Sequence, residues 1–357
     1  MTIKSTKFIP ALDKVEKARE KFLKALDITL LNPPDVEVGT SPHEVIFTEN
    51  KLRLLHYYPQ TEEACSTPLI LVFALVNRPY ILDLMPGRSV VEVLLKKGIP
   101  VYLIDWGSPG DEDKDLDLNH YINRYIHKVV QRVKKHSGSD KVNILGYCMG
   151  GTMSAMYTAL HPEEVRNLIL MTAGIDFKVD GTLNLWGDRP NFNVDKFVDA
   201  YGNAPADFLQ SGFLIMKPIQ NLVSKYVNFY ENVDNEAFLE SFLAMEKWLN
   251  DNIPVAGEVY REFIKYLYQE NQLVEDKLKI NGKPVHLKDI TCPVLNLIAE
   301  NDHLVPPASS IVFNDLVSSK DKKTIVFPAG HIGLSVSGKS LKGLWPEVSD
   351  WIIERSN

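Results

Sequence analysis

Cys148 stands at the centre of Gly146-Tyr147-Cys148-Met149-Gly150-Gly151, a pattern that can present a side chain for nucleophilic attack. Val142-Asn143-Ile144-Leu145 before it reads as a buried strand, and Thr152 to Leu160 after it reads as a helix. A strand turning sharply into a helix at G-x-nucleophile-x-G strains the central residue and lifts its side chain off the sheet. The flanking glycines keep neighbouring side chains out of the way, and the helix start favours a negatively charged sulfur. On its own the hexapeptide fits a buried structural thiol equally well, because free cysteine is often a small core residue.

A nucleophilic thiol needs a base, and the base needs a group that orients it. Both are available late in the chain. Glu300-Asn301-Asp302-His303 follows the apolar strand Pro293–Ala299, and Gly330-His331-Ile332-Gly333 follows the strand Thr324–Phe327. The order nucleophile, acid, histidine places Asp302 as the orienting carboxylate and His331 as the base. His303 is a neighbour that could support the acid loop. Backbone N–H groups of Met149 and Val76, the latter in the loop after an early strand, are the candidates for an oxyanion hole. Cys292 at a strand entrance reads as a packed thiol, and Cys65 as incidental. His43, His56, His120, His127, His136, His161 and His286 show no ligand spacing, so neither a metal nor a cofactor is expected.

The elements that must hold these residues alternate along the chain. Glu44 to Tyr58 reads as a hairpin turning at Glu49-Asn50-Lys51. Apolar strands follow at Leu69–Leu75, Val101–Asp105, Val142–Gly146, Asn167–Met171, Pro293–Ala299 and Thr324–Phe327, with helical patterns at Ser89–Lys97 and Ile122–Lys135. Continuous apolar strands alternating with helices predict a mostly parallel sheet covered on both faces. With the elbow, this is the α/β-hydrolase fold. The alternation stops between Met171 and Pro293, where prolines, aromatics and helical patches predominate. The expected division is an N-terminal amphipathic helix at 1–30, a core at 31–175 and 290–357, and a mainly helical cap at 176–289 over the sheet edge where such folds bind ligands. Leu12, Val15, Phe22 and Leu26 mark the N-terminal helix, which either packs on the main domain or docks another subunit.

Composition narrows the class. The chain has 357 residues, 45% hydrophobic and 24% charged, with a formal net charge of −7 and three cysteines. That charge argues against nucleic acid as a partner. No apolar run approaches the roughly 20 residues of a membrane span. The N-terminus does not read as a secretory signal, and three scattered cysteines suit a reducing cytoplasm.

Beyond these general features, the chain resembles the polyhydroxyalkanoate synthases, specifically the short catalytic subunits of the two-component classes III and IV, leaning towards class III. The resemblance rests on Phe73 to Leu84, Val101-Tyr102-Leu103-Ile104-Asp105-Trp106-Gly107, the Cys148 elbow, Met245-Glu246-Lys247-Trp248, Ala256-Gly257-Glu258, Asp302 to Pro307 and Gly330-His331-Ile332-Gly333. It extends from about residue 35 to the end. It implies Cys148 as acyl-carrying nucleophile, His331 as general base, Asp302 as its partner, and a cap over the site. The implied substrate is an (R)-3-hydroxyacyl-CoA, polymerised to a polyester with release of CoA. It also implies a homodimeric core, a second non-catalytic subunit in place of a long N-terminal extension, and a cytoplasmic location at the surface of polymer granules. Two rivals stand beside it: a cysteine-type hydrolase acting on a CoA ester or lactone, and a catalytically silent granule scaffold, against which the intact Cys148, Asp302 and His331 argue.

Overall fold

A computed structural model describes residues 9–31, 34–62 and 65–356. Its centre is an eight-stranded sheet. The strands are β1 (His43–Glu49), β2 (Leu52–Tyr57), β3 (Leu69–Val72), β4 (Val101–Asp105), β5 (Val142–Tyr147), β6 (Val165–Met171), β7 (Val294–Ala299) and β8 (Lys322–Phe327). Their spatial order is β1-β2-β4-β3-β5-β6-β7-β8. β1 and β2 form the expected antiparallel hairpin, β2 pairs antiparallel with β4, and all later pairs are parallel.

Alternation along each strand divides the apolar residues between two faces. Ile70, Val72, Ile144, Leu168 and Leu170 join one core, packed under α3 (His127–Ser137) and α4 (Met149–Leu160) through Val129, Val130, Val133, Met153 and Met156. Leu69, Leu71, Leu145, Ile169 and Met171 join the other, beneath α2 (Val90–Lys96) and the C-terminal helix Trp345–Glu354 through Val91, Leu94, Trp345, Val348 and Ile352. Burying each such side chain stabilises the fold by about 1.5–3 kcal/mol. The sheet is therefore a rigid platform whose C-terminal edge carries the loops expected to do chemistry.

Between β6 and β7 the chain leaves the sheet for a run of helices: α5 (Thr182–Gly187), α6 (Val194–Tyr201), α7 (Ala206–Met216), α8 (Lys225–Asn232), α9 (Glu236–Asn250) and α10 (Gly257–Glu262), the last continued by a wider helical turn to Gln269. The inserted aromatics pack largely on each other. Phe197 lies 4.7 Å from Phe208 and 5.7 Å from Tyr260 between ring centroids. Residues 278 to 290 then return to the main core, with Leu278, Ile280, Val285 and Leu287 buried there.

The N-terminal helix α1 (Ile9–Leu26) lies along α8 rather than on the sheet. Its contacts are polar: Lys24 pairs with Asp234, Lys21 donates to the Glu231 carbonyl, and the Tyr230 hydroxyl donates to the Ala18 carbonyl. The apolar stripe is not spent on this packing, for Val15 and Phe22 stay 65% and 58% exposed. The Leu12 side chain lies outside the described residues.

Candidate active site

The sharp turn at the end of β5 is built from close backbone approaches. Cys148 adopts φ 56° and ψ −125°, a conformation costly for a residue with a side chain and one that points it away from the strand. The turn is held by the Cys148 amide donating to the Met171 carbonyl at 3.0 Å and by the Gly151 amide donating to the Cys148 carbonyl at 2.9 Å. Glycine is required on both sides. A Cβ on Gly150 would strike the carbonyl oxygens of Val72 and Phe73, and one on Gly146 would strike the backbone of Gly150 and Gly151. The first turn of α4 thus presses directly on the end of β3. That contact brings the Met149 amide and the loop carrying Val76 to the same side of the sheet.

His331 and Asp302 arrive from the loops after β8 and β7. The Nδ1–H of His331 donates to Oδ2 of Asp302 at 2.6 Å. The Asp302 carboxylate is fully buried and held from behind, because its Oδ1 accepts the backbone amides of Leu304 at 2.9 Å and Val305 at 3.0 Å. The imidazole also senses Cys148, whose charge acts on it from the elbow. Burial by itself would push the imidazole's proton off. The negative charges of Asp302 and Cys148 and the hydrogen bond to Asp302 outweigh it and raise the His331 pKa to about 10. Cys148 itself is only partly buried, so its sulfur remains reachable.

Two tyrosines sense the charge at Cys148, and sequence reasoning singled out neither. Tyr147 occupies the variable position before the nucleophile. Its hydroxyl donates to the His331 carbonyl at 3.0 Å, and its ring stacks on the imidazole at 5.3 Å between centroids. Burial, with the negative charge of Cys148, holds its phenol well above the usual range. Tyr268 comes from the inserted helices, packs on Phe177 at 4.6 Å, and has its phenol pushed up by burial and by the charge at Cys148. The only sequence signal for Tyr147 is its place inside the elbow. Tyr268 has none, since it belongs to the insertion.

The other predicted positions separate cleanly. His303 is half-buried beside the acid; burial and the Lys217 charge lower its pKa, while Asp302 and His331 act on it across space. The hydrogen bonds that fix Asp302 come from amides of the loop. Val76 is partly buried between both cores, directly before Asn77, whose φ of 62° turns the loop inward. Cys292 sits at the entrance of β7, at the opposite end of the sheet from Cys148, and burial raises its thiol to about 11. Cys65 is buried, with its sulfur directed at the Thr67 carbonyl.

The inserted helices are clamped to the loop after β3. Trp248 Nε1 donates to the Arg78 carbonyl at 2.8 Å, Arg78 pairs with Asp251 at 3.3 Å, and the Tyr80 hydroxyl donates to Asp251 at 3.2 Å.

Comparison with known proteins places this arrangement. The α/β hydrolase fold family matches residues 69–337, and the N-terminal family of poly-beta-hydroxybutyrate polymerase (PhaC) matches residues 15–94. Among solved structures, the chain is similar to a monoglyceride lipase of Saccharomyces cerevisiae with a TM-score of 0.58 and 14% identity, over 91% of this chain and 99% of that one. That likeness concerns the fold alone. A poly(3-hydroxyalkanoate) polymerase subunit PhaC of Haloferax mediterranei is 52% identical over 90% of this chain and 66% of its own length. The corresponding subunit of Allochromatium vinosum is 45% identical over 91% of this chain and 92% of its own, and that of a Synechocystis strain is 43% identical over 94% and 91%. This chain spans about two thirds of the haloarchaeal relative and nine-tenths of the two bacterial ones. An elbow cysteine, a buried His–Asp pair and near-full-length similarity at this level establish that the chain belongs to the PhaC family of poly(3-hydroxyalkanoate) polymerases, acyltransferases on an α/β-hydrolase fold.

Proposed function

We propose that this chain polymerises (R)-3-hydroxyacyl-CoA thioesters, the 3-hydroxybutyryl ester foremost, with Cys148 carrying the growing acyl group. The observation that carries this reading is the buried His331–Asp302 pair, anchored by the Leu304 and Val305 amides and electrostatically coupled to Cys148 at the strained elbow. His331 takes the thiol proton, and the sulfur attacks the thioester carbonyl. The amides of Met149 and Val76 stabilise the oxyanion, and its collapse forms the Cys148 thioester and expels CoA as thiolate, which takes the proton from His331 and leaves the imidazole neutral again. The hydroxyl of another hydroxyacyl unit then gives its proton to His331 and attacks the Cys148 thioester. An ester bond forms, and the sulfur is released.

Cysteine suits this task. The first step exchanges one thioester for another of similar energy, and the second, thioester to ester, runs downhill. A serine ester would lose that activation at once. Within one chain Cys148 is the thiol at this site, so a second participating thiol would have to come from another chain.

Transfer to an alcohol must outrun transfer to water. The inserted helices are the element that excludes water, and they must open to admit CoA and release polymer. The relatives are named as polymerase subunits, which supports assembly with a further subunit. Exposed Ile219, Leu222, Val223, Tyr226 and Val227 follow helical spacing on one face leading into α8, which suits such a partner or the surface of a polyester granule. No helix among the described residues is long and apolar enough to cross a membrane.

Incubation with labelled 3-hydroxybutyryl-CoA tests the reading. Insoluble polyester with label on Cys148 is expected. Release of free acid alone would make the chain a thioesterase, and label on Cys292 would overturn the site.

A further inference from the structure

At the opposite end of the sheet from Cys148, three potential metal ligands converge that no linear spacing connects. Glu44 on edge strand β1 lies directly across from His56 on β2, and His56 lies across from Tyr102 on β4. The three therefore form one lateral row on one face of the sheet. His136, in the last turn of α3, folds down over the row. One ligand atom from each of Glu44, His56 and His136 lies within 4.8 Å of the others, and His56 Nδ1 is 3.5 Å from the Glu44 carboxylate.

We propose that Glu44, His56 and His136 bind a divalent transition-metal ion of the zinc class. Two imidazoles and one carboxylate are a borderline-soft donor set suited to zinc, cobalt or nickel rather than to calcium or magnesium. Metal–ligand bonds of about 2.0–2.2 Å put tetrahedral ligand atoms roughly 3.3 Å apart. The Glu44–His56 pair already has this spacing. Glu44 and His136 are exposed at the rim, so their side chains can rotate inward to close the remaining gap, at most about 1.5 Å from the 4.8 Å limit to tetrahedral spacing.

Each ligand is also held by a second partner, as ligands in metal sites are. The His56 ring stacks on Tyr102 at 4.4 Å with 16° between planes. The Tyr102 hydroxyl meets Nδ1 of His136 at 2.9 Å, so Nε2 is the nitrogen that His136 offers. The Tyr58 hydroxyl donates to Glu44 at 2.6 Å. His136 also stands at the C-terminal end of α3, where the helix dipole favours a cation. Three protein ligands leave one position for water. Because the site is at the far edge from the nucleophile, the ion would fasten edge strand β1 to α3 instead of entering the acyl transfer.

The test is zinc titration by calorimetry on the full chain carrying Cys148→Ala, which removes the catalytic thiol as a competing ligand. One equivalent should bind, with affinity at least tenfold weaker in Glu44→Gln and in His136→Ala. Both residues lie at the surface, and circular dichroism of the metal-free variants verifies their folding. Cobalt(II) in the same background should give ligand-field bands without sulfur charge transfer, and zinc should raise the thermal midpoint of the parent but not of His136→Ala. Absence of stoichiometric binding, or binding equally tight in both variants, would overturn the site.

Discussion

The Tyr147 hydroxyl donates to the main-chain carbonyl of His331 at 3.0 Å while its ring lies against the imidazole. Tyr147 thus holds His331, the proposed base, in place and couples the elbow after β5 to the loop after β8. Tyr147→Phe keeps the ring and removes the donor. A drop in kcat of about tenfold with little change in KM is expected, together with about 1 kcal/mol of stability, the typical contribution of one buried hydrogen bond. Steady-state kinetics and chemical denaturation read the two effects separately.

Asp302→Asn should leave the fold intact and cost roughly 10³–10⁴-fold in kcat, the scale seen when a base loses its orienting carboxylate. His331 supplies a second readout. Its pKa of about 10 lies above the ordinary 6.5, so the folded state holds this proton more tightly than the unfolded state. The resulting stability is fully present below pH 6.5 and is lost as pH rises through about 10. Removing the Asp302 charge should move the imidazole midpoint down and flatten that decline, measurable by NMR titration and by denaturation between pH 6 and 10.

Cys292 should be slow to alkylate near neutral pH, since burial raises its thiol to about 11 and keeps the reactive thiolate scarce. Limited iodoacetamide treatment should label Cys148 first, with activity lost in proportion. Cys292→Ala should retain most activity, whereas Cys148→Ala should abolish acylation. Mass spectrometry of the alkylated peptides checks the order.

Gly150→Ala should fail as an enzyme before it fails chemically. Its Cβ would meet two carbonyl oxygens of the β3 end, neither of which can swing aside. Separation of α4 from the sheet is expected to cost about 2–3 kcal/mol and to displace both Cys148 and the Met149 amide. A lowered thermal midpoint with near-complete loss of acylation is the predicted pair of results.

Asp251→Ala removes two of the contacts that clamp the inserted helices to the loop after β3, those to Arg78 and Tyr80. Looser helices should let water compete with the hydroxyl acceptor. The fraction of substrate released as free 3-hydroxy acid should rise several-fold at nearly unchanged acylation rate, read by chromatography of the products. An unchanged product ratio would separate water exclusion from this clamp.

Sequence alone carried the sheet because its central strands are buried on both faces and read as unbroken apolar runs. Leu69 to Val72 and Val294 to Ala299 need no partner to be recognised. The elbow was equally legible, since its glycine pattern is a local signal and Gly146 is dictated by contacts within the turn itself, although Gly150 is fixed by the distant end of β3. Asp302 and His331 were found by their order after successive strands, which the topology converts into proximity. The fate of the N-terminal stripe was not legible. Periodicity specifies a helix, but whether Val15 and Phe22 are buried depends on which surface the helix meets, and it meets the polar side of α8.

What the chain's linear order determined, then, is every feature whose cause lies within a few residues: strand, helix, strained turn, and the sequence of nucleophile, acid and base. Tertiary structure alone decided which distant side chains touch. Tyr268 packs on Phe177 only because an insertion folds back onto the core. Glu44, His56 and His136 gather only because cross-strand register and the end of α3 bring them to one corner. Such juxtapositions are set by how elements pack, and no local pattern in the chain records them.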